Sequence, residues 1–227
     1  ITVETEITII AFRNNFGYGT ARIQQRLFCA PAFELEQMEV KVQGVELSRQ
    51  SINEVFKKWG INGYRRKHKK SWKFFRATCP NELWQLDLKR FRFRGKKYEM
   101  LVVIDDYSRF ILLLHVFDHC PNISEITEAI KDIVQEHHPH NILTDNNPFQ
   151  DSWAEWCEEQ KVTALFAHPY YPQDKGKVER TIRNVTEEFI DLLGMFTMFF
   201  ERLQEYREWF NKKRYHLGIK YYPANLF

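Results

Sequence analysis

In LWQLDLKRFRFRGKKYEMLVVIDDYSRFILLLHVF, Leu83 to Phe117, apolar and polar residues alternate as far as Phe93 and then meet Gly95. That is the pattern of a strand entering a hairpin. KYEMLVVID and SRFILLLHVF read as two further strands parted by the turn DDYS, so the segment predicts three antiparallel strands. Beyond it the period changes. Ile123, Ile126, Ile130, Ile133 and Val134 recur at helical spacing and lead into the short apolar strand NILTD. A helix around SWAEWCEEQ, a strand VTALF and a long helix from about Gln173 to Leu193 come next; Gly194 then interrupts the pattern before FFERLQEYREWFNKKR resumes it. Strands followed by alternating helices and strands specify an α/β layer with a mixed sheet.

Upstream, the first 65 residues read as helices joined by short turns. Val3, Ile7, Ile10 and Ala11 recur at helical spacing until the glycines of FGYGT break the segment. Thr20 is placed to cap TARIQQRLF, with Ile23 and Leu27 on one face. In the next helix Ser48 is the N-cap, Ile52, Val55, Phe56 and Trp59 form the apolar stripe, and Gly60 follows the end. Its outer face carries Arg49, Gln50, Asn53 and Lys57, which suit phosphates and base edges as a recognition helix does; a solvated face of a small bundle would read the same way.

Ten Lys or Arg lie between Arg49 and Ala77 against the single acid Glu54. Arg65, Arg66, Lys67, Lys69 and Lys70, interleaved with aromatics in YRRKHKKSWKFFRA, suit a linker or wing lying along a DNA backbone. A flexible solvated linker is the alternative. The expected division is a helical unit over 1–64, a basic linker over 65–81 and an α/β unit over 82–227.

The formal net charge is only +3 in 227 residues, so a nucleic-acid role rests on where the charges sit. Cys29, Cys79, Cys120 and Cys157 form no CxxC pair, which argues against a disulfide framework and a cysteine-type zinc site and fits a reducing cytosol. No apolar run approaches the roughly 18 residues of a membrane span, and the start lacks the order of a signal peptide. A soluble chain without a membrane partner is expected. It opens on Ile1 rather than methionine, as a truncated chain would.

Three carboxylates stand in informative contexts. Asp87 is mid-strand, on the opposite parity to Trp84, Leu86 and Leu88, where a carboxylate is costly unless it has a partner or a cation. Asp145 ends a short apolar strand, at the sheet edge where α/β proteins place functional groups. Glu179 falls in the first turns of the long helix, whose positive end favours anions. Each alone also reads as a capped turn or a surface acid. Together, an acid on each of two strands and a third on a helix hold two divalent ions for attack on a phosphodiester.

Around Glu179, Lys175, Lys177, Arg180 and Arg183 would clamp the phosphate beside the scissile bond, although Arg183 equally suits an intrahelical pair with Glu179. Tyr170, Tyr171 and Gln173 suit stacking on a frayed base or ordinary loop packing. His137, His138 and His140 around Pro139 mark a helix end rather than a metal site, and Trp153 and Trp156 read as core.

WQLDL, LVVIDDYSRFI, LTDNNPFQ and HPYYPQDKGKVER resemble the catalytic core of the retroviral-integrase-like DDE recombinases, most closely the bacterial and archaeal insertion-sequence transposases. WFNKKRYHLGIKYYPANLF is similar to the asparagine, arginine, histidine and TPAE-type tail of those transposases, and YGTARIQQRL with LSRQSINEVFKKWGI resembles their helix-turn-helix. The resemblance implies an RNase H-like mixed five-stranded sheet flanked by helices, preceded by a small helix-turn-helix domain. Asp87, Asp145 and Glu179 match the family's catalytic and metal-binding positions, served by two Mg²⁺ or Mn²⁺ ions. It further implies cleavage and strand transfer at mobile-element ends, with double-stranded DNA ends and target as partners. A homo-oligomer, at least a dimer, and a cytoplasmic, nucleoid-associated location complete the expectation. The alternatives are a transposase-derived DNA-binding protein without catalysis and a structure-specific nuclease. Two departures bear on activity rather than fold: the 33 residues between Asp145 and Glu179 are slightly fewer than the family's usual spacing, and Asn147 stands where the family has glycine.

Overall fold

The computed structural model describes residues 1–36, 38, 42–63, 76–146, 149, 151–167, 175–195 and 199–227, the side chains of 151 and 193–195 aside. The chain divides into two compact units, Ile1–Phe74 and Phe75–Phe227. The last part of the expected linker belongs to the second of them. Arg76 lies over the Tyr107 ring, the Ala77 N–H donates to Asp106, and the Asn81 N–H donates to Asp105.

Among the described residues the first unit holds four helices: α1 (Val3–Phe16), α2 (Thr20–Phe28), α3 (Ala32–Leu35) and α4 (Arg49–Lys58). The buried face of α1 is Thr5, Thr8, Ile9 and Phe12, not the expected Val3 and Ile7, which are exposed. Burying Thr8 is tolerated because its hydroxyl donates to the Glu4 carbonyl at 2.8 Å. Gly19, not Thr20, takes the N-cap position of α2, and its carbonyl accepts from Arg22 and Ile23. On α4 the Ser48 hydroxyl accepts from the Ser51 N–H, Ile52, Val55 and Phe56 are buried, and Gly60 follows in the left-handed region at φ 65°. Trp59 departs from the expected stripe. The helix stops at Lys58, so its ring stays exposed, and its Nε1 donates to Glu6.

The second unit is built on a five-stranded mixed sheet in the order β3-β2-β1-β4-β5. Strands β1 (Leu83–Phe93), β2 (Lys96–Asp105) and β3 (Ile111–Phe117) are antiparallel, while β4 (Asn141–Thr144) and β5 (Thr163–Phe166) continue parallel to β1. The two-residue turn Arg94-Gly95 has positive φ at both positions, matching the twist of its strands. Helix α5 (Ile123–His137) starts in a capping box of Asn122 and Glu125 and ends at His138, φ 49°, whose N–H returns to the Val134 carbonyl. It packs with α6 (Asp151–Glu159) on one face of the sheet. Trp84, Leu86, Leu101, Ile126, Ile130 and Trp153 form the core there.

The other face of β1 receives α7 (Gly176–Glu188). This helix ends five residues before the expected Leu193. Phe189 leaves the helical path to become fully buried against Phe199 and Tyr206, and a 3-10 turn (Ile190–Met195) containing Gly194 follows. Helix α8 (Phe199–Lys212) then runs along β3 and closes its outer edge with side chains. Asn211 accepts from the Ile111 N–H at 2.8 Å and donates to its carbonyl at 2.9 Å, while Arg207 and Gln204 donate to the Leu112 and Leu114 carbonyls. Arg214 pairs with the buried Glu188 through Nε and a terminal nitrogen. The asparagine and arginine of the tail motif therefore serve the packing of α8 and α7. Asn211→Leu strands both Ile111 groups and is expected to destabilise the second unit by about 2–4 kcal/mol, read from urea unfolding.

Candidate active site

The register of the sheet brings two acids together. β1 pairs with β4 as Leu83 with Asn141, Trp84 with Ile142 and Gln85 with Leu143, so two more steps align Asp87 with Asp145, the residue just past the end of β4. Asp87 shares the parity of Gln85 and faces the helix α7 side of the sheet, away from the Trp84 and Leu86 core. Both carboxylates converge on one cation: the Lys175 Nζ lies 2.9 Å from Asp87 Oδ1 and 2.8 Å from Asp145 Oδ2. Lys175 is the residue before α7 and is buried, whereas Asp145 remains half exposed. Burial pushes the Asp87 carboxyl above its ordinary range; Lys175 opposes this and the neighbouring Asp145 charge adds to it.

A buried network fixes the start of α7 to the sheet. Gln85 Oε1 accepts from the Val178 N–H at 3.0 Å, and Gln85 Nε2 donates to Asp106 Oδ1 at 2.8 Å. Asp106, fully buried, also accepts from the Ala77 N–H at 2.7 Å and from the Lys177 ammonium on both oxygens. Burial lowers the Lys177 ammonium from its ordinary pKa, and Asp106 offsets part of that. The chain thus delivers Lys175 to the two carboxylates through bonds made by its neighbours. Close by, burial and the charges of Arg214, Arg109 and Arg180 hold His216 down to about 3, so its ring is neutral at neutral pH.

The family model described as "Integrase core domain" matches residues 77–172, a segment that contains Asp87 and Asp145 and stops short of Lys175 and Glu179. Within the Gag-Pro-Pol polyprotein of squirrel monkey retrovirus, 120 residues are 33% identical to this chain, covering 48% of it and 6% of the polyprotein. Residues 77–172 thus match a retroviral-type integrase core. The chain therefore spans only a small fraction of such curated relatives. The fold agrees: the integrase catalytic core of human T-cell leukemia virus 2, solved with magnesium in a trimeric form, superposes with a TM-score of 0.54 at 20% identity, over 66% of this chain and 99% of that one. A chain of the simian T-cell lymphotropic virus intasome, in complex with the PP2A regulatory subunit B56 gamma, superposes with a TM-score of 0.58 at 15% identity, over 96% of this chain and 73% of that one.

The expected site residues divide. Asp87 and Asp145 meet. Glu179 stands apart from them in this arrangement: it is exposed in the first turn of α7, and among the described residues no three His, Cys, Asp or Glu side chains are gathered into a metal-holding group. The Lys175 ammonium supplies the counter-charge between the two aspartates, and the N–H of Glu179, four residues on, donates to the Lys175 carbonyl at 3.0 Å. Lys175 and Lys177 are not the surface phosphate clamps their sequence context predicts. Both are turned inward, one onto Asp87 and Asp145 and the other onto Asp106. Arg180 and Arg183 are exposed on α7.

In the first unit Arg49, Gln50, Asn53 and Lys57 all lie on the exposed face of α4, with Arg49 Nε 3.3 Å from Gln24 Oε1. Arg65, Arg66, Lys67, Lys69, Lys70, Asn147, Tyr170, Tyr171 and Gln173 lie outside the described residues. Gln85 and Asp106 escaped the sequence reading. The signal was a polar residue between Trp84 and Leu86, and a second acid directly after the apolar run in LVVIDD, each of which needs a partner if buried.

Proposed function

We propose that this chain cleaves and joins DNA strands at the ends of a mobile element, as a DDE-type polynucleotidyl transferase of the insertion-sequence kind, with its first unit as a helix-turn-helix that binds those ends. The observation that carries the reading is the convergence of Asp87 and Asp145 on a single cation at the carboxyl edge of the sheet. Two carboxylates that already hold one cation through oxygen alone fit a hard divalent ion. Asp87 and Asp145 would hold Mg²⁺ or Mn²⁺, and Glu179, exposed in the first turn of α7, would turn its side chain toward them to complete a two-ion site. Bound there, the ions supply activation of a water or a DNA 3′-OH and charge stabilisation at the leaving 3′ oxygen.

The chain's own residues do the positioning. Gln85 and Asp106 fix the α7 start, so that Asp87, Asp145 and the helix face bearing Lys175 and Glu179 keep one arrangement. Arg180 and Arg183 on the exposed side of α7 would steady the phosphates beside the scissile bond. Synapsis of two ends calls for at least a dimer, working on the nucleoid in the cytoplasm.

With labelled duplex ends, Mg²⁺ is expected to yield nicked and joined products, and a chelator in excess is expected to remove both. Product formation that persists in the chelator overturns the metal-dependent reading. The Lys175 ion pairs favour a second reading, a transposase-derived DNA-binding protein without catalysis, since the ammonium occupies the place between the carboxylates. Calorimetric titration with Mg²⁺ separates the two. Ion binding at millimolar or better accompanies catalysis, and duplex binding without any ion binding marks the second.

A further inference from the structure

The β1–β2 hairpin reaches beyond the sheet. By the register, β4 ends opposite Leu86, and β3 accompanies β2 only as far as Glu99, so residues 90–98 form a two-stranded ribbon with no strand on either side. That ribbon carries Arg90, Arg92, Arg94, Lys96 and Lys97 without an acid among them. Nearby carboxylates are already engaged, Glu99 by Arg90 and Asp118 by His119. Arg92, Lys96 and Lys97 are exposed and form no ion pair with any described residue. Arg94 is exposed and stands over the Phe93 ring.

The ribbon keeps these cations against its own folding economy. Arg92 sits directly opposite Lys97, a like-charge pair that destabilises a ladder. Arg94 occupies a turn position at φ 48° where Asn, Asp or Gly fit better. Two local costs at one place, both retaining positive charge, mark a functional surface. β1 also carries Asp87, and Arg94, in the turn just past its end, lies seven positions on, about 23 Å at strand rise.

We propose that the ribbon formed by Arg92, Arg94, Lys96 and Lys97 is a second DNA-contact surface, holding the phosphate backbone of a duplex whose scissile bond lies at Asp87 and Asp145. The proposal rests on the DNA-cutting reading above. Its contacts are electrostatic and independent of sequence, so they show in the salt dependence of binding, where each phosphate neutralised contributes about 0.9 to the slope of log K against log salt.

The test compares the full chain with a variant bearing Arg92→Gln, Arg94→Gln, Lys96→Gln and Lys97→Gln, binding a labelled duplex of about thirty base pairs, followed by anisotropy across a salt series. The slope is expected to shrink by about 2 to 4 with four contacts removed. Arg92→Lys with Arg94→Lys, which keeps the charge, is expected to keep the slope and so separates loss of charge from loss of fold. An unchanged slope in the neutral variant, beside a wild type that binds duplex, overturns the ribbon proposal alone. A wild type that binds no duplex overturns the ribbon and the underlying reading together. A neutral variant that loses single-stranded RNA while keeping duplex overturns the choice of partner.

Discussion

Asp106→Ala is expected to lower the unfolding free energy of the second unit by about 4 kcal/mol or more, the largest stability effect the structure predicts for a single side chain. Asp106 is fully buried and accepts from Gln85, Lys177 and the Ala77 N–H at once. Its removal leaves a mostly buried ammonium without this carboxylate and two polar donors without their acceptor. Breaking one side of a buried charge pair is far costlier than removing both. Asp106→Ala combined with Lys177→Met should therefore be less destabilised than the two single changes predict together. Urea unfolding followed by tryptophan fluorescence measures all four proteins, and strictly additive losses would show that Asp106 and Lys177 are uncoupled. Because Val178 hangs from the same Gln85, the surviving folded fraction of Asp106→Ala should also lose activity, as the start of α7 shifts from β1.

Asp87→Asn is expected to behave in the opposite way, leaving the fold intact and abolishing chemistry. Burial already disfavours the Asp87 charge, so a neutral amide of the same shape relieves a desolvation cost while it gives up the Lys175 pair. The two effects oppose, and stability should stay within about 1 kcal/mol. Nicking of labelled element ends in Mg²⁺ should fall about a thousandfold, the equivalent of about 4 kcal/mol of transition-state stabilisation. Duplex affinity should be unaltered, since the phosphate-facing cations lie elsewhere. Equal nicking by wild type and Asp87→Asn is the outcome that would falsify a carboxylate-held metal as the source of catalysis.

The sheet was legible because period-2 patterning is local and strict. Trp84, Leu86 and Leu88 had to share a face whatever their partners, and that put Asp87 on the other. Positions governed by partners distant in sequence were not legible. The face of α1 departs from the apolar pattern because two threonines are buried there, Thr8 bonded to the Glu4 carbonyl and Thr5 to the Thr2 hydroxyl. The end of α7 was misread because Phe189 leaves the helix to reach Phe199 and Tyr206. DKGK reads locally as a solvated basic turn; only the Gln85 to Val178 bond, 93 positions apart, turns Lys175 and Lys177 inward. The strand contexts of Asp87 and Asp145 singled them out, but the parallel pairing of β1 with β4 that sets them side by side is a long-range register no local pattern carries.

The side-chain seal that α8 lays on β3 also sets a clock for synthesis. Asn211 is separated from Ile111 by 100 positions, so the strand is made long before the residue that closes it. At about 5–20 residues per second a ribosome leaves that edge open for roughly 5–20 s. For that interval a nascent chain presents unpaired backbone groups to any neighbouring nascent chain. Premature termination before Asn211 would prolong the interval indefinitely, so shortened products should be sticky rather than merely inactive.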